Sequence, residues 1–504
     1  MTSLSEFLRD AVHFRTVPLV HRFIADSLTP LQIFESLQSE AVYLLESKDN
    51  ESPWSRYSFI GLSPFMSIEN TDGSGFRIIN EHGEIIRSEN SLKDAFLFVQ
   101  TLLNAREVQS EIPFNGGAVG YLSYDFISSL EKIPTNRIND LHLAQAYFVI
   151  CESIVVFDHL ERELVIIHYV RLPHCAPIDE KIKRYHEAEK KVQRIIKAAV
   201  RQASPQILQA IDDTFQLEKI LHRVEPNYLK GDFLYDVQKI KRYIAAGDIF
   251  QAVLSQRFAV PIRVSGFQLY RSLCKGNPSP YMFYIQTKQC EIIGSSPEKL
   301  VEVHQKKVEI HPIAGTRRRG RNRKEDEKFA NELLTDPKEH AEHYMLVDLA
   351  RNDIGKIAKY GTVQTMRLME LRKFSYVMHL ISKVVGELRE DVHPIEALLA
   401  AFPAGTVSGA PKIRAMEIIG ELEPVARNIY AGAVAYIGFD GNIDSCIAIR
   451  TAIVHGGNAY VQAGAGIVAD SVPKLEWKET INKASSVLQA IQLAEMTFGR
   501  GVYV

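Results

Sequence analysis

The chain has 504 residues, 46% hydrophobic and 24% charged, an ordinary globular balance that excludes wholesale disorder and leaves room for roughly two to four domains. Its 59 Lys plus Arg against 61 Asp plus Glu give a formal charge of -2, so there is no global electrostatic reason for a nucleic acid or an anionic membrane as partner. The cysteines (Cys151, Cys175, Cys274, Cys290 and Cys446) are odd in number and form no CxxC pair, which disfavours a disulfide framework or zinc ribbon and favours a reducing compartment. The N-terminus MTSLSEFLRDAVHF has no apolar signal core, and no apolar run approaches the ~20 residues of a membrane span. A soluble, cytoplasmic protein is expected.

In chain order, Val42 to Leu45, Gly117 to Leu122, Ser153 to Phe157 and Leu164 to Tyr169 read as strands, with turns at Asp72-Gly73 and His82-Gly83. Pro177 to about Val200 reads as a helix with a solvated face, and Arg201 to Pro205 as a polar linker. The second half gives a helix over Asn227 to Ala246 and strands over Gln251 to Val260, Tyr281 to Gln286 and Glu291 to Ser295. A charged loop is expected at Arg317 to Glu327 and a helix near Lys338 to Arg351. Strands at Ala431 to Phe439, Ile443 to Val454 and Ala459 to Ala463 precede a last helix from Lys474 to Met496. Strands and helices come in blocks, so the expected class is α+β, divided into 1–215 and 225–504.

One spacing carries chemistry. Glu339 and Glu342 stand three apart on one expected helix, and Glu476 and Glu479 three apart on another, so each pair shares a helical face. Oxygen-only ligation by such carboxylates suits Mg²⁺; two solvated faces are the plain alternative. In the last helix Trp477, Ile481, Ala484 and Leu488 point one way, and Glu476, Glu479 and Lys483 another. The run Ala463 to Ile467 reads as a glycine-rich loop after a strand, an anion cup or a tight turn, and fits no dinucleotide fingerprint. Pro403 to Lys412 does not have P-loop spacing. Arg450 is expected at a strand end, where it could clamp a carboxylate; Glu298 follows a Gly-Ser-Ser-Pro turn, and His379 lies among apolar neighbours.

These positions, in this order, resemble the chorismate-utilising enzymes. The resemblance covers essentially the whole chain and is densest from about 225 to 504. It is carried by Ile293 to Glu298, Pro312 to Thr316, Asp336 to His343, Val347 to Gly355, Pro403 to Lys412, Ala463 to Ala469, and Glu476 with Glu479. It implies a large chorismate-binding synthase fold of antiparallel sheets surrounded by helices. Glu339, Glu342, Glu476 and Glu479 would surround Mg²⁺, directly or through water, and the metal would hold the ring carboxylate of chorismate. Arg450 and Tyr430 would hold the enolpyruvyl carboxylate, Gly464 and Gly466 would offer backbone donors, and Lys483 and Thr316 polar contacts. Glu298 would be the general acid for the departing C4 hydroxyl, which requires a raised pKa. His379 falls where the family has a histidine linked to pyruvate elimination, as base or as orienting group.

Two positions narrow the reaction. Water-adding members carry a lysine where this chain has Gln251, so ammonia is the expected nucleophile. Members that stop at 4-amino-4-deoxychorismate typically carry a lysine where this chain has Ala314, so amination at C2 followed by loss of pyruvate, giving anthranilate, is expected. Leu44 to Ser47 and Asn277 to Phe283 resemble the two walls of the family's feedback site for L-tryptophan, implying contacts from Glu46, Ser47, Pro280, Tyr281 and Met282, with Cys446 in the lining. No cysteine sits in a Gly-x-Cys-x-Gly elbow, so glutamine-derived ammonia would come from a separate glutamine amidotransferase subunit.

Overall fold

The computed structural model describes residues 1–48, 53–71, 73–108, 110–134, 138–201, 224–373 and 377–499. All of the expected linker 201–205 except residue 201, and the span 216–223 between the two expected regions, lie outside them. The architecture is α+β: a large, hydrogen-bonded array of antiparallel strand pairs flanked by helices. The strand Ala146–Asp158 is central on the N-terminal side. It pairs with Tyr57–Asn70, Gly117–Leu122 and Glu163–Arg171, and it is buried along almost its whole length, which is why it reads as a continuous apolar run instead of alternating.

Sheet and core both cross from one half of the chain to the other. Ala41–Glu46 pairs with Tyr281–Gln286, bringing Glu46 opposite Met282, and Ala433–Gly438 pairs with Gly117–Leu122. One hydrophobic cluster joins Phe65, Phe96 and Phe148 to Val301, Leu398 and Ile437; another joins Phe34 and Ile195 to Tyr270 and Leu488. Burial of this apolar surface is what fixes the N-terminal strands against the site-bearing ones.

Three expectations are corrected. The segment expected as a charged loop is the end of the strand Ile313–Arg318 followed by the helix Arg323–Thr335. Asn322 caps that helix, and Arg323–Glu327 and Lys328–Glu332 pair one turn apart along it, so the charges stabilise a helix. Ile443 to Val454 is not one strand: Ile443–Ile447 and Thr451–His455 are separated by a bend in which Arg450 takes φ +52°. Gly464 to Gly466 are not a loop, but belong to the strand Asn458–Ile467, paired to Gln251–Pro261 with Gly464 opposite Ser255 and Gly466 opposite Val253. Their role is close approach. A Cβ on Gly464 would lie 2.7 Å from Val253 Cγ1 and 2.8 Å from the Tyr430 hydroxyl, and one on Gly466 would lie 2.5 Å from Gln251 Nε2.

Candidate active site

Both glutamate pairs sit at helix N-termini. The helix Pro337–Gly355 opens with proline, and the Asp336 carboxylate caps it by accepting from the Lys338 and Glu339 amides. The helix Pro473–Phe498 also opens with proline and carries Glu476 in its first turn. Exposed amides and the helix dipole there favour carboxylates.

The two ends face a common region. The Glu342 carboxyl is raised above its ordinary range, first by burial and then by Glu339 and, from the other helix, Glu479; Lys338 and Lys483 pull it back. Glu476 is likewise raised, by burial and by Glu479, against Ser471, Lys483 and Lys338. Glu339 is held by Arg317 at 2.8 Å, and Glu479 by Lys483 at 2.7 Å.

Lys483 links this acidic region to the strands. Its Nζ donates to the Gly464 carbonyl at 3.0 Å, and its own carbonyl accepts from the Arg450 guanidinium. Arg450 lies within the bend described above, and its own left-handed backbone turns its side chain off the strand and onto the last helix. Tyr430 lies beside Gly464, its phenol pushed up to about 12 chiefly by burial. Gln251, buried at the start of its strand, lies over Gly466.

Glu298 stands between the strands Glu291–Ser296 and Lys299–His304. The expected Gly-Ser-Ser-Pro turn before it is a correction: Gly294 to Ser296 are strand, and only Pro297 breaks it. The half-buried carboxyl is pushed up to about 7 by desolvation, offset by the nearby Thr406 hydroxyl and Lys483 ammonium. Thr406 Oγ1 lowers the pKa of this carboxyl but, among the described residues, has no hydrogen-bond partner of normal geometry.

His379 and Thr316 form the remaining edge. The strand Val377–Glu387 alternates buried and half-buried positions, and His379 is on the half-buried face. Its Nδ1 lies 3.0 Å from the Gly315 carbonyl and 3.1 Å from the Thr316 hydroxyl. Because a carbonyl only accepts, the Nδ1–H tautomer is assigned, which leaves Nε2 as the basic nitrogen. Burial lowers the imidazole below its ordinary range. Gly315 needs its freedom: it has φ +70°, and a Cβ there would lie 3.1 Å from Glu339 Oε2.

A family profile described as chorismate binding enzyme matches residues 40–489. The chain belongs to the chorismate-binding enzyme family. It is 58% identical over 498 residues to the anthranilate synthase component 1 of Geobacillus stearothermophilus, covering 99% of this chain and 98% of that one. To the protein of the same name from Bacillus subtilis (strain 168) it is 47% identical over 497 residues, covering 99% and 96%. The crystal structure of anthranilate synthase component I from Streptococcus pneumoniae TIGR4 superposes with TM-score 0.73 at 35% identity, covering 93% of this chain and 99% of that one. MenF, the menaquinone-specific isochorismate synthase of Escherichia coli, shares the fold with TM-score 0.70 at 18% identity, covering 97% and 99%.

In this chorismate-binding enzyme the four glutamates share one region but not a closed cage: among the described residues no three His, Cys, Asp or Glu side chains are grouped for a metal ion. Their chemistry nevertheless fits Mg²⁺. They are hard oxygen donors, and Glu342 and Glu476 are each burdened by a neighbouring carboxylate, a repulsion that a divalent cation relieves.

A separate cavity is lined by all six residues expected around an inhibitor: Glu46, Ser47, Pro280, Tyr281, Met282 and Cys446. The pairing of Glu46 with Met282 is what brings the two sequence segments into one wall. Glu46 accepts from the Tyr270 hydroxyl at 2.7 Å and lies 3.6 Å from Lys48. The cavity has a second acid that the sequence reading did not single out, Asp444, which accepts from the Tyr281 hydroxyl at 3.0 Å. Burial raises its carboxyl to about 7, against Lys299.

Other residues missed from sequence are Thr406, Arg317, Lys338 and the pair Glu423–Arg427. Arg427 is fully buried; it donates to Glu423 at 2.8 and 2.6 Å and to the carbonyls of Val407 and Val253, each at 2.7 Å. Glu423 in turn accepts from the Ser255 amide and hydroxyl at 2.9 and 2.7 Å. This cluster fastens the Thr406 segment to the Gln251 strand. Lys338 had a readable signal, four residues before Glu342 on one helix. Glu423 and Arg427 have the same spacing but lie beyond the helix that ends at Leu422, so their contact is tertiary.

Proposed function

We propose that this enzyme converts chorismate and ammonia to anthranilate, pyruvate and water, as the large synthase subunit in tryptophan biosynthesis, within a reducing cytoplasm. The observation that carries the reading is Glu298: a half-buried carboxyl that desolvation pushes up to about 7, within electrostatic reach of Lys483, the residue that links Gly464, Arg450 and Glu479.

Glu339, Glu342, Glu476 and Glu479 would hold Mg²⁺. When bound, the metal supplies positive charge that fixes the ring carboxylate of the substrate. Arg450, Tyr430 and the backbone at Gly464 and Gly466 orient the enolpyruvyl carboxylate, and Lys483 and Thr316 add polar contacts. Glu298 donates its proton to the departing C4 hydroxyl as ammonia adds at C2. His379 Nε2 then takes the C2 proton, or orients the substrate while it leaves, as the enolpyruvyl group departs as pyruvate. Gln251, a neutral amide, cannot act as the base that would activate water, and the apolar Ala314 offers no competing amine.

The ammonia is proposed to come from a glutamine amidotransferase partner subunit, and L-tryptophan to bind the cavity around Glu46, Ser47, Pro280, Tyr281, Met282 and Cys446 as inhibitor. In this reading residues 1–215 are chiefly regulatory and 225–504 catalytic. Incubation with chorismate, Mg²⁺ and ammonium salt tests the reaction. Anthranilate fluorescence is expected; amination that stops with the enolpyruvyl group attached, or no turnover, overturns it.

A further inference from the structure

We propose that a cavity in the N-terminal half, outside the site described above, binds a small organic monocarboxylate with a flat apolar body. The cavity has a volume of about 320 Å³ and is lined by Arg15, Phe65, Glu81, Leu103, Arg171 and Leu172, among others. None of the residues assigned to chorismate, Mg²⁺ or tryptophan belongs to it. Its volume falls in the ordinary range for small-molecule sites, about 300–1,000 Å³.

The two guanidinium groups differ. Arg171 is satisfied: it lies 3.2 Å from the Glu81 carboxylate and 4.3 Å over the Phe65 ring. Arg15 is not. Its backbone is fixed, the amide donating to the Asn104 carbonyl and the carbonyl accepting from the Leu172 amide at 2.7 Å. Yet its side chain has no hydrogen-bond or ion-pair partner among the described residues, and its Nε is buried without one. A half-buried cation with no partner is costly to hold, and a carboxylate satisfies a guanidinium fork with two parallel hydrogen bonds. With Glu81 already paired to Arg171, the lining keeps one positive charge to spare, which selects a monoanion. The Arg171–Phe65 stack and the side chains of Leu103 and Leu172 supply a flat, apolar surface for the remainder of such a ligand.

The test uses the full chain and benzoate as probe, with binding followed by calorimetry or saturation-transfer NMR in excess L-tryptophan. Benzoate is expected to bind the parent, to bind at least tenfold more weakly to Arg15→Gln, and to bind Arg450→Gln as it does the parent. Leu103→Phe, which fills the cavity without removing a charge, is expected to weaken binding similarly and keeps the proposal testable if Arg15→Gln does not fold. The proposal is overturned if the parent does not bind benzoate, if the folded cavity variants bind it like the parent, if Arg450→Gln alone loses it, or if inorganic phosphate binds as tightly as benzoate.

Discussion

Arg317 holds Glu339: its Nη1 lies 2.8 Å from the carboxylate, while its Nη2 reaches Asp336, the cap of the same helix, at 2.9 Å. One of the four glutamates proposed for Mg²⁺ is therefore already paired with a cation of the protein. Arg317→Ala should free that carboxylate and shift the Mg²⁺ midpoint of activity to lower concentration. The pair is only partly screened from water, so about 1 kcal/mol, or roughly fivefold, is the expected scale. An unmoved or raised midpoint would show that Glu339 does not meet the metal.

The partner experiment is Glu479→Ala, which removes a carboxylate and releases Lys483 from its 2.7 Å ion pair. Activity and Mg²⁺ affinity should fall together. A variant with the parent's Mg²⁺ midpoint would remove the last helix from the metal assignment.

Glu298→Gln should retain chorismate binding and lose about 10²–10⁴-fold in turnover, since the amide has no acidic proton. In the parent, the acid form is lost as pH rises through about 7, so the rate should decline on that limb. The stability sign follows from the same shift. Burial raises the folded-state pKa above the ordinary carboxylate value, so the unfolded chain ionises first, and stability falls as pH rises from about 4.5 toward 7. Glu298→Gln should flatten that part of the stability curve. Urea titrations of both proteins across the window measure it.

Arg427→Met leaves Glu423 buried without its cation. A loss of about 3–5 kcal/mol is expected by chemical denaturation. Arg427→Met with Glu423→Leu should recover part of the stability. Turnover should stay depressed in the double variant, because the Val407 and Val253 carbonyls have still lost the donor that fastens the Thr406 segment. Full recovery of turnover would limit Arg427 to a stabilising role.

Ser47→Phe should abolish tryptophan inhibition while uninhibited turnover stays within a few-fold, because the added ring fills a cavity lined by none of the residues proposed for catalysis. With a coupling of about 1–3 kcal/mol between the two ligands, the change in the tryptophan titration should be about 5–150-fold. Sensitivity equal to the parent's would put the inhibitor elsewhere.

The sequence by itself determined most elements and the chemical inventory of the site. Period-2 and period-3.6 patterns are local, so the strands at Gly117 to Leu122 and Tyr281 to Gln286 and the long helices were legible. So were the paired glutamates, whose spacing states that they share a helical face. Only the tertiary structure decided the rest. Gly464 and Gly466 read as a loop because glycine signals freedom, whereas in the fold it permits Tyr430 and Gln251 to approach a strand. The charged run after Arg317 read as solvated loop because its capping residue and its pairs one turn apart act only once the helix forms. Nothing local reveals that Glu298 is desolvated to a pKa of about 7, that Arg427 binds Glu423 outside any helix, or that Glu46 meets Met282 across a strand pair. Those facts depend on which distant segments exclude water from a side chain, and that is settled by packing between residues hundreds apart in the chain.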